Sequence, residues 1–200
     1  MKKTIAITFD DGPDTVYTPK ILDILKKENV KATFFLIGNK IKKNPKIAQR
    51  IFQEGHCIGN HTYTHLDMKD VSIERVEKEV VKTELLIDSM FGSSLKYMRA
   101  PWGAINDDQK AALVKLGYKV FKWNLDAFDW DINKNTVDGI VKRVLTMAKP
   151  GTILILHCAD WTGKESREKT VEALPLIIDG LRKRQYEFVT LKQMVDGYKK

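Results

Sequence analysis

The chain has 200 residues, of which 43% are hydrophobic and 30% are charged, as in an ordinary globular protein with a sizeable core. Glycine and proline are too few for a low-complexity chain, and no apolar run reaches the length of about 18 residues that a membrane span needs. The unusual value is the formal net charge of +8, which indicates an anionic partner such as nucleic acid, anionic membrane or acidic cell-wall polymer.

Short apolar runs alternate with helical patterns along the whole chain. The predicted strands are Thr4–Phe9, Ala32–Ile37, Cys57–Asn60, Lys96–Arg99, Lys119–Leu125, Thr152–Leu156 and Glu187–Leu191. Helix starts are predicted at Thr18-Pro19, Asn44-Pro45, Ser72, Asn106, Thr136, Glu168 and Lys192, and the last helix is predicted to reach Tyr198. On the Ser72 helix, the pattern assigns Glu74, Glu77 and Glu79 to the solvent face.

This alternation predicts an α/β fold, in which a parallel sheet is connected by helical crossovers. No linker interrupts the series, so residues 1–200 are predicted to form a single domain. Seven strand-helix units either close into a barrel or remain an open, doubly wound sheet, and the chain is short for an eight-unit barrel of about 250 residues.

Polar side chains follow five of the seven predicted strands. In parallel α/β folds the functional groups lie beyond the carboxyl ends of the strands, so these segments are expected to meet at one rim. They are Asp10-Asp11-Gly12-Pro13, His61-Thr62-Tyr63-Thr64-His65, Arg99-Ala100-Pro101-Trp102-Gly103, Asp126-Ala127-Phe128-Asp129-Trp130 and His157.

His61 and His65 are four residues apart, so on a helical turn their imidazoles would point the same way and share a metal ion. With a carboxylate such as Asp10 or Asp11 they form a set of two histidines and one carboxylate, which suits zinc and leaves coordination positions open. The adjacent aspartates repel each other, and Arg99 is either a solvated cation or the partner that offsets them.

His157 is expected at the same rim, where Asp126 or Asp129 would set its tautomer and raise its pKa. His56 has no such neighbours, so we expect a structural role for it. Cys57 and Cys158 are too few and too far apart in sequence for a disulfide framework or a metal knuckle, and we expect two reduced structural thiols.

The five segments resemble the motifs of the polysaccharide deacetylases, the NodB-homology enzymes of carbohydrate esterase family four, and they occur in the family's order. The resemblance spans nearly the whole chain and implies a distorted (β/α) barrel of about seven strand-helix units. It also implies catalytic roles: Asp10 as general base, His157 as general acid, Arg99 as the residue that orients Asp10, and Asp126, preferred over Asp129, as the residue that tunes His157.

The resemblance further implies a divalent metal ion, Zn²⁺ or alternatively Co²⁺, bound by Asp11, His61 and His65. It implies an oxyanion contact from the backbone N–H of Trp102, at a position where most members of the family have tyrosine. The residues predicted to contact the substrate are Trp102, Pro101, Trp130, Ile155 and Leu156.

The implied reaction is hydrolysis of the N-acetyl group of N-acetylglucosamine units in peptidoglycan or a chitin-type oligosaccharide. The alternatives are O-deacetylation of xylan, hydrolysis of a cyclic amide or ureide, and an inactive carbohydrate-binding relative, which the complete set of acidic and histidine residues disfavours. We expect a monomer that binds a polysaccharide or oligosaccharide. We expect no nucleic-acid partner, because lysine and arginine are spread over helix faces without interleaved aromatic residues.

The start of the chain, Met1-Lys2-Lys3, resembles the basic part of a signal peptide, but no apolar stretch follows it. We expect an extracellular or cell-wall location, with a leader, anchor or carbohydrate-binding module outside this chain. A cytoplasmic enzyme is the alternative.

Overall fold

The computed structural model describes residues 2–92 and 95–197 of the chain. The strands are Lys3–Asp10 (β1), Thr33–Leu36 (β2), Cys57–Asn60 (β3), Tyr97–Met98 (β4), Lys119–Val120 (β5), Leu125–Asp126 (β6), Thr152–His157 (β7) and Tyr186–Phe188 (β8). The α-helices are Tyr17–Lys27 (α1), Gly38–Lys43 (α2), Pro45–Gln53 (α3), Ile73–Phe91 (α4), Asp107–Lys115 (α5), Val137–Met147 (α6), Glu168–Lys183 (α7) and Leu191–Val195 (α8). The predicted end of the last helix, Tyr198, lies outside the described residues.

The strands form one parallel sheet in the order β5-β4-β3-β2-β1-β7-β6. β8 pairs with the first half of β1, on the edge whose second half pairs with β2. No ladder joins β5 to β6 within the described ranges, yet side chains from both ends of the sheet line one cavity. The sheet is therefore curled, and the predicted fold, an α/β distorted barrel, is confirmed.

Side chains alternate between the two faces of the central strands, as the pleat requires. On β1, Ile5, Ile7 and Phe9 belong to the largest apolar cluster, which the sheet forms with helices α1 and α7. Thr8 and Asp10 lie on the opposite face, toward the inside of the barrel. This alternation brings polar groups to the inner face at the carboxyl end of β1.

The structure corrects one predicted strand. Lys119–Leu125 does not form a single strand, because β5 pairs with β4 whereas β6 pairs with β7, at the other end of the sheet. The segment between them crosses the open side of the barrel.

The structure also corrects two helix assignments. The first helix begins at Tyr17, and its N-terminal N–H groups are capped by Asp14 Oδ1; Thr18, predicted to be the cap, lies buried inside the helix. On α4, Glu79 is only 4% exposed, so its assignment to the solvent face is wrong. Among the described helices, none is both long and apolar enough to span a membrane.

Candidate active site

A cavity of about 340 Å³ opens at the carboxyl ends of the strands. Of the seven ionisable residues predicted for the site, all but Arg99 line it: Asp10, Asp11, His61, His65, Asp126 and His157. So do three predicted substrate contacts, Trp102, Trp130 and Ile155. The prediction that these strand ends meet at one rim is therefore confirmed.

Two of the residues predicted to contact the substrate, Pro101 and Leu156, are not among the described residues that line the cavity. Leu156 lies on the opposite face of β7 from Ile155, where it packs in the main core with Leu154. Pro101 is buried at the start of a short 3₁₀ helix, and only its neighbour Trp102 reaches the cavity.

Arg99 pairs with Asp10 beneath the cavity floor. Its Nη1 donates hydrogen bonds of 2.8 Å to Asp10 Oδ1 and 2.8 Å to Thr8 Oγ1, and the side chain is fully buried. The guanidinium lies 4.3 Å from the centre of the Phe35 ring. Burial lowers the pKa of Arg99, and the negative charge of Asp10 opposes this effect. The hydrogen bond from Arg99 holds Oδ1 of Asp10 in place.

Asp11 has an unusual backbone conformation, with φ of 72°. In a regular strand, consecutive side chains point to opposite faces, which would turn Asp10 and Asp11 away from each other. The left-handed conformation of Asp11 interrupts this alternation, and aspartate is one of the few residues that tolerate it. Both carboxylates therefore line the same cavity.

His61 and His65 converge on Asp11. The Nε2 atoms of His61 and His65 lie 3.4 Å and 3.2 Å from Asp11 Oδ1. The two histidines lie on a loop rather than a helical turn, because Thr62 and His65 both have left-handed φ angles of 63° and 61°. The predicted convergence is present, but the loop produces it.

The three residues have a donor arrangement that fits a divalent metal ion. One ligand atom from each of Asp11, His61 and His65 lies within 4.8 Å of the others, and all three residues are buried. His61 Nδ1 is 2.8 Å from the carbonyl oxygen of Arg99, so this nitrogen carries the proton and Nε2 keeps its lone pair for a ligand. Burial raises the pKa of Asp11, but the adjacent imidazoles of His61 and His65 outweigh burial and hold that pKa well below its usual value.

His157 is paired with Asp129, not with Asp126. Its Nδ1 lies 2.8 Å from Asp129 Oδ1, and its backbone N–H donates to Asp129 Oδ2. Burial lowers the pKa of His157, but the Asp129 carboxylate outweighs that effect and raises the pKa to about 9. The preference for Asp126 is thus corrected.

Asp126 contributes to the turn that brings Asp129 into place. Its Oδ1 accepts a 2.7 Å hydrogen bond from the Phe128 N–H, and Phe128 has a left-handed φ of 55°. Arg143 Nε donates to the Asp126 carbonyl, and its guanidinium lies 4.0 Å from the centre of the Phe128 ring. Burial raises the pKa of Asp126, which still lines the cavity.

The loop after β7 forms a wall that the sequence did not predict. Trp161 stacks on His65 with ring centres 5.1 Å apart, and Trp102 contacts His65 edge-on at 4.3 Å. The loop is held by a buried ion pair of 3.3 Å between Asp160 and Arg167. The sequence did contain one indication of this wall: the loop follows His157 directly, and residues just beyond a strand end lie at the rim.

Lys40 is a second residue that sequence reasoning missed. Its Nζ donates hydrogen bonds of 2.9 Å to the carbonyl oxygen of Asp11 and 2.6 Å to that of Asp160. Burial lowers its pKa. Lys40 thereby ties the backbone of the first strand end to the loop after β7.

Both cysteines are free, as expected. Cys158 is buried beneath the site, and a side chain at Gly12 would come within 2.5 Å of its sulfur. His56 accepts a hydrogen bond from the Ala32 N–H at 3.1 Å and packs edge-on against Phe34, so its predicted structural role is confirmed.

The family profile described as Polysaccharide deacetylase matches residues 1–121, more than half of the chain. The chain belongs to the polysaccharide deacetylase family. It is therefore assigned to the hydrolases, and the recognition of the family from its five segments is confirmed.

Two curated relatives show how far this similarity extends among polysaccharide deacetylases. A peptidoglycan-N-acetylglucosamine deacetylase of Bacillus cereus is 39% identical over 193 residues, covering 96% of this chain and 68% of the relative. A chitooligosaccharide deacetylase of a Bradyrhizobium strain is 36% identical over 200 residues, covering 96% of this chain and 90% of the relative.

A crystal structure has the same fold. It is a peptidoglycan N-acetylglucosamine deacetylase solved in complex with an N-hydroxybenzamide compound. It superposes with a TM-score of 0.91 at 38% identity, and covers 96% of this chain and 88% of that one.

Proposed function

We propose that this polysaccharide deacetylase hydrolyses the N-acetyl group of N-acetylglucosamine residues in peptidoglycan or a chitin-type oligosaccharide and releases acetate. The observation that carries the proposal is that one cavity contains a candidate metal site, Asp10 held by Arg99, and His157 held by Asp129. The names of the two curated relatives support this substrate class.

The cavity walls suit a sugar. All four tryptophans of the chain, Trp102, Trp123, Trp130 and Trp161, line the cavity. Indole rings offer flat apolar faces for the C–H face of a pyranose, together with an N–H that can donate to a hydroxyl group. Ile155 gives the wall near His157 an apolar side chain, which suits the methyl group of an acetamide.

In the proposed reaction a water oxygen forms a bond to the acetyl carbonyl carbon, and Asp10 accepts a proton from that water. Arg99 donates a hydrogen bond to Oδ1 of Asp10 and so fixes the orientation of the carboxylate, whose other oxygen, Oδ2, is the proposed proton acceptor. General-base catalysis of this kind contributes typically about 10²–10⁴-fold. The backbone N–H of Trp102 is proposed to donate to the developing oxyanion.

The carbon–nitrogen bond then breaks, and His157 gives a proton to the departing nitrogen, so that the products are acetate and a free amine. The pKa of about 9 keeps His157 protonated near neutral pH. Because Asp129 accepts from Nδ1, Nε2 of His157 is the nitrogen that can deliver the proton.

Asp11, His61 and His65 are proposed to hold Zn²⁺, with Co²⁺ as an alternative. When bound, such an ion acts as a Lewis acid that polarises the carbonyl group and makes water easier to deprotonate. Two histidines and one carboxylate also leave coordination positions open for substrate and water.

A product assay on three substrates tests the proposal. The purified protein is incubated with N-acetylglucosamine oligomers, peptidoglycan and acetylated xylan, and acetate and new free amines are measured. We expect acetate and amine in equal amounts from one or both N-acetylated substrates. Acetate from xylan alone would favour O-deacetylation, and no acetate from any substrate would contradict the proposal.

A further inference from the structure

The loop between His61 and His65 carries both candidate metal-binding histidines, but it has no helix to organise it. Left-handed φ angles at Thr62 and His65 prevent helical hydrogen bonding. Its backbone N–H groups therefore need partners from elsewhere, because an unpaired N–H group away from water is costly.

Side chains supply those partners for all three N–H groups between the histidines. The Thr62 N–H donates to Asn60 Oδ1 at 2.9 Å. The N–H groups of Tyr63 and Thr64 donate to Glu79 Oε2 at 3.0 Å and 2.8 Å, and the Thr64 hydroxyl donates to the same oxygen at 3.0 Å. A single carboxylate oxygen thus accepts three hydrogen bonds from the middle of the loop.

Glu79 is itself held firmly on α4. Its side chain is buried in the second turn of a five-turn helix, and its Oε1 lies 3.3 Å from Arg75 Nη2 on the same helix. Hydrogen bonds to a carboxylate are about twice as strong as those between neutral groups. Glu79 therefore fastens the loop to a rigid element.

The opposite side of the loop is held by α2. The N–H groups of Gly38 and Asn39 donate to the carbonyl oxygens of Thr62 and Tyr63 at 3.0 Å and 2.9 Å. The loop is thereby fixed from two sides, with α2 holding its carbonyl groups and the side chains of Glu79 and β3 holding its N–H groups. Glu79 alone holds two of the three N–H groups, so its substitution removes most of that attachment.

We propose that Glu79 is a positioning residue for the metal ligands: by fixing the loop between His61 and His65 it sets the affinity of the site for a divalent cation. The role rests on the proposed metal-dependent function. Residues that orient metal ligands from outside the coordination sphere typically contribute about 10–100-fold to metal affinity or activity.

The test is a titration of chelator-treated protein with ZnCl₂, in competition with a chelator of known affinity. Glu79→Ala is expected to bind zinc at least about tenfold more weakly than the wild type. Glu79→Gln is expected to fall between the two, because its carboxamide oxygen still accepts but carries no charge. Glu74→Gln is the matched control, since Glu74 is exposed on the same helix and forms a surface ion pair of 2.7 Å with Lys78.

The melting temperature of each zinc-free variant is measured alongside. Variants with a lower melting temperature but wild-type zinc affinity would show a role in folding only and would overturn the proposal. If the Glu79 variants do not fold, Thr64→Val removes one of the three donors and is expected to weaken zinc binding about threefold. Wild-type affinity in that variant would also overturn the proposal.

The wild-type titration separates the two proposals. If the wild type binds no zinc, the metal-dependent function is overturned and the role of Glu79 with it. If the wild type and the Glu79 variants bind zinc equally, only the role of Glu79 is overturned.

Discussion

Asp129 accepts hydrogen bonds from two groups of His157, the Nδ1–H and the backbone N–H, both at 2.8 Å. Thr170 Oγ1 donates to the same carboxylate at 2.7 Å, and burial of Asp129 excludes water from the pair. Burial raises the pKa of Asp129, but the positive charge of His157 and these hydrogen bonds outweigh it and lower the pKa. The two side chains therefore form a carboxylate–imidazolium pair at neutral pH.

Asp129→Asn is expected to shift the alkaline limb of the pH profile of kcat/KM to lower pH. Loss of the negative charge destabilises the imidazolium of His157, so its pKa falls and the protonated acid is lost at a lower pH. In the wild type that limb is expected near pH 9, the pKa of His157. A divalent cation bound nearby would destabilise the imidazolium and move the limb to lower pH.

Asp126→Asn is the matched control for this prediction. Its amide oxygen still accepts from the Phe128 N–H, so the turn is retained, and the alkaline limb is expected to move less than in Asp129→Asn because Asp129 is the hydrogen-bonded partner of His157. A larger shift in Asp126→Asn than in Asp129→Asn would show that Asp126 tunes His157.

Substitutions of the adjacent residues Asp10 and Asp11 are expected to have different effects, one on turnover and the other on zinc binding. Asp10→Asn should reduce turnover by about 10²-fold or more, because the amide cannot accept the proton of water, while zinc binding is retained. Asp11→Asn should weaken zinc binding, since it replaces the charged ligand. Zinc content and acetate release are measured for both variants, and loss of zinc from Asp10→Asn instead would exchange the two roles.

His56 is expected to destabilise the fold at acid pH. Burial lowers its pKa to about 4, from an unperturbed value of 6.5, so its contribution to stability is present above pH 6.5 and is lost as the pH falls toward 4. The loss is on the order of 3 kcal/mol when protonation is complete.

His56→Gln should remove this part of the acid sensitivity, because glutamine can accept from the Ala32 N–H without being protonated. Urea unfolding at pH 7 and pH 4.5 compares the two proteins. An equal loss of stability in both would show that His56 is not the group responsible.

The net charge of +8 is expected to act on binding to anionic polymer rather than on chemistry. Deacetylation of peptidoglycan that carries anionic polymers should fall at about 1 M salt, where the Debye length is about 3 Å. Deacetylation of neutral N-acetylglucosamine oligomers should change little. Equal salt effects on both substrates would exclude this role of the charge.

The sequence predicted the main positions of the site because strand ends in a parallel sheet share one edge. Asp10 and His157, for example, are 147 positions apart in the sequence (157 − 10) yet are register partners on β1 and β7. Strand prediction and the parallel topology were sufficient to place them together.

The choice between Asp126 and Asp129 could not be made in this way, since it depends on a turn. Phe128 adopts a left-handed conformation, which is rare for a residue other than glycine, asparagine or aspartate. Helical and strand periodicities carry no information on such a turn, and it decides which carboxylate faces His157.

Glu79 was missed for a related reason. Helix periodicity assigns charged residues to solvent unless a partner is known, and the partners of Glu79 are backbone N–H groups of a distant loop. The division of Lys119–Leu125 was missed because strand propensity does not report which neighbour each half will pair with.

The most direct test of the proposed metal-dependent deacetylation is acetate release from N-acetylglucosamine oligomers before chelation, after complete removal of metal, and after addition of zinc. We predict that activity is lost on chelation and restored by zinc, because Asp11, His61 and His65 form the one cluster of three metal-binding side chains found among the described residues. Full activity in protein shown to be free of metal would contradict this prediction.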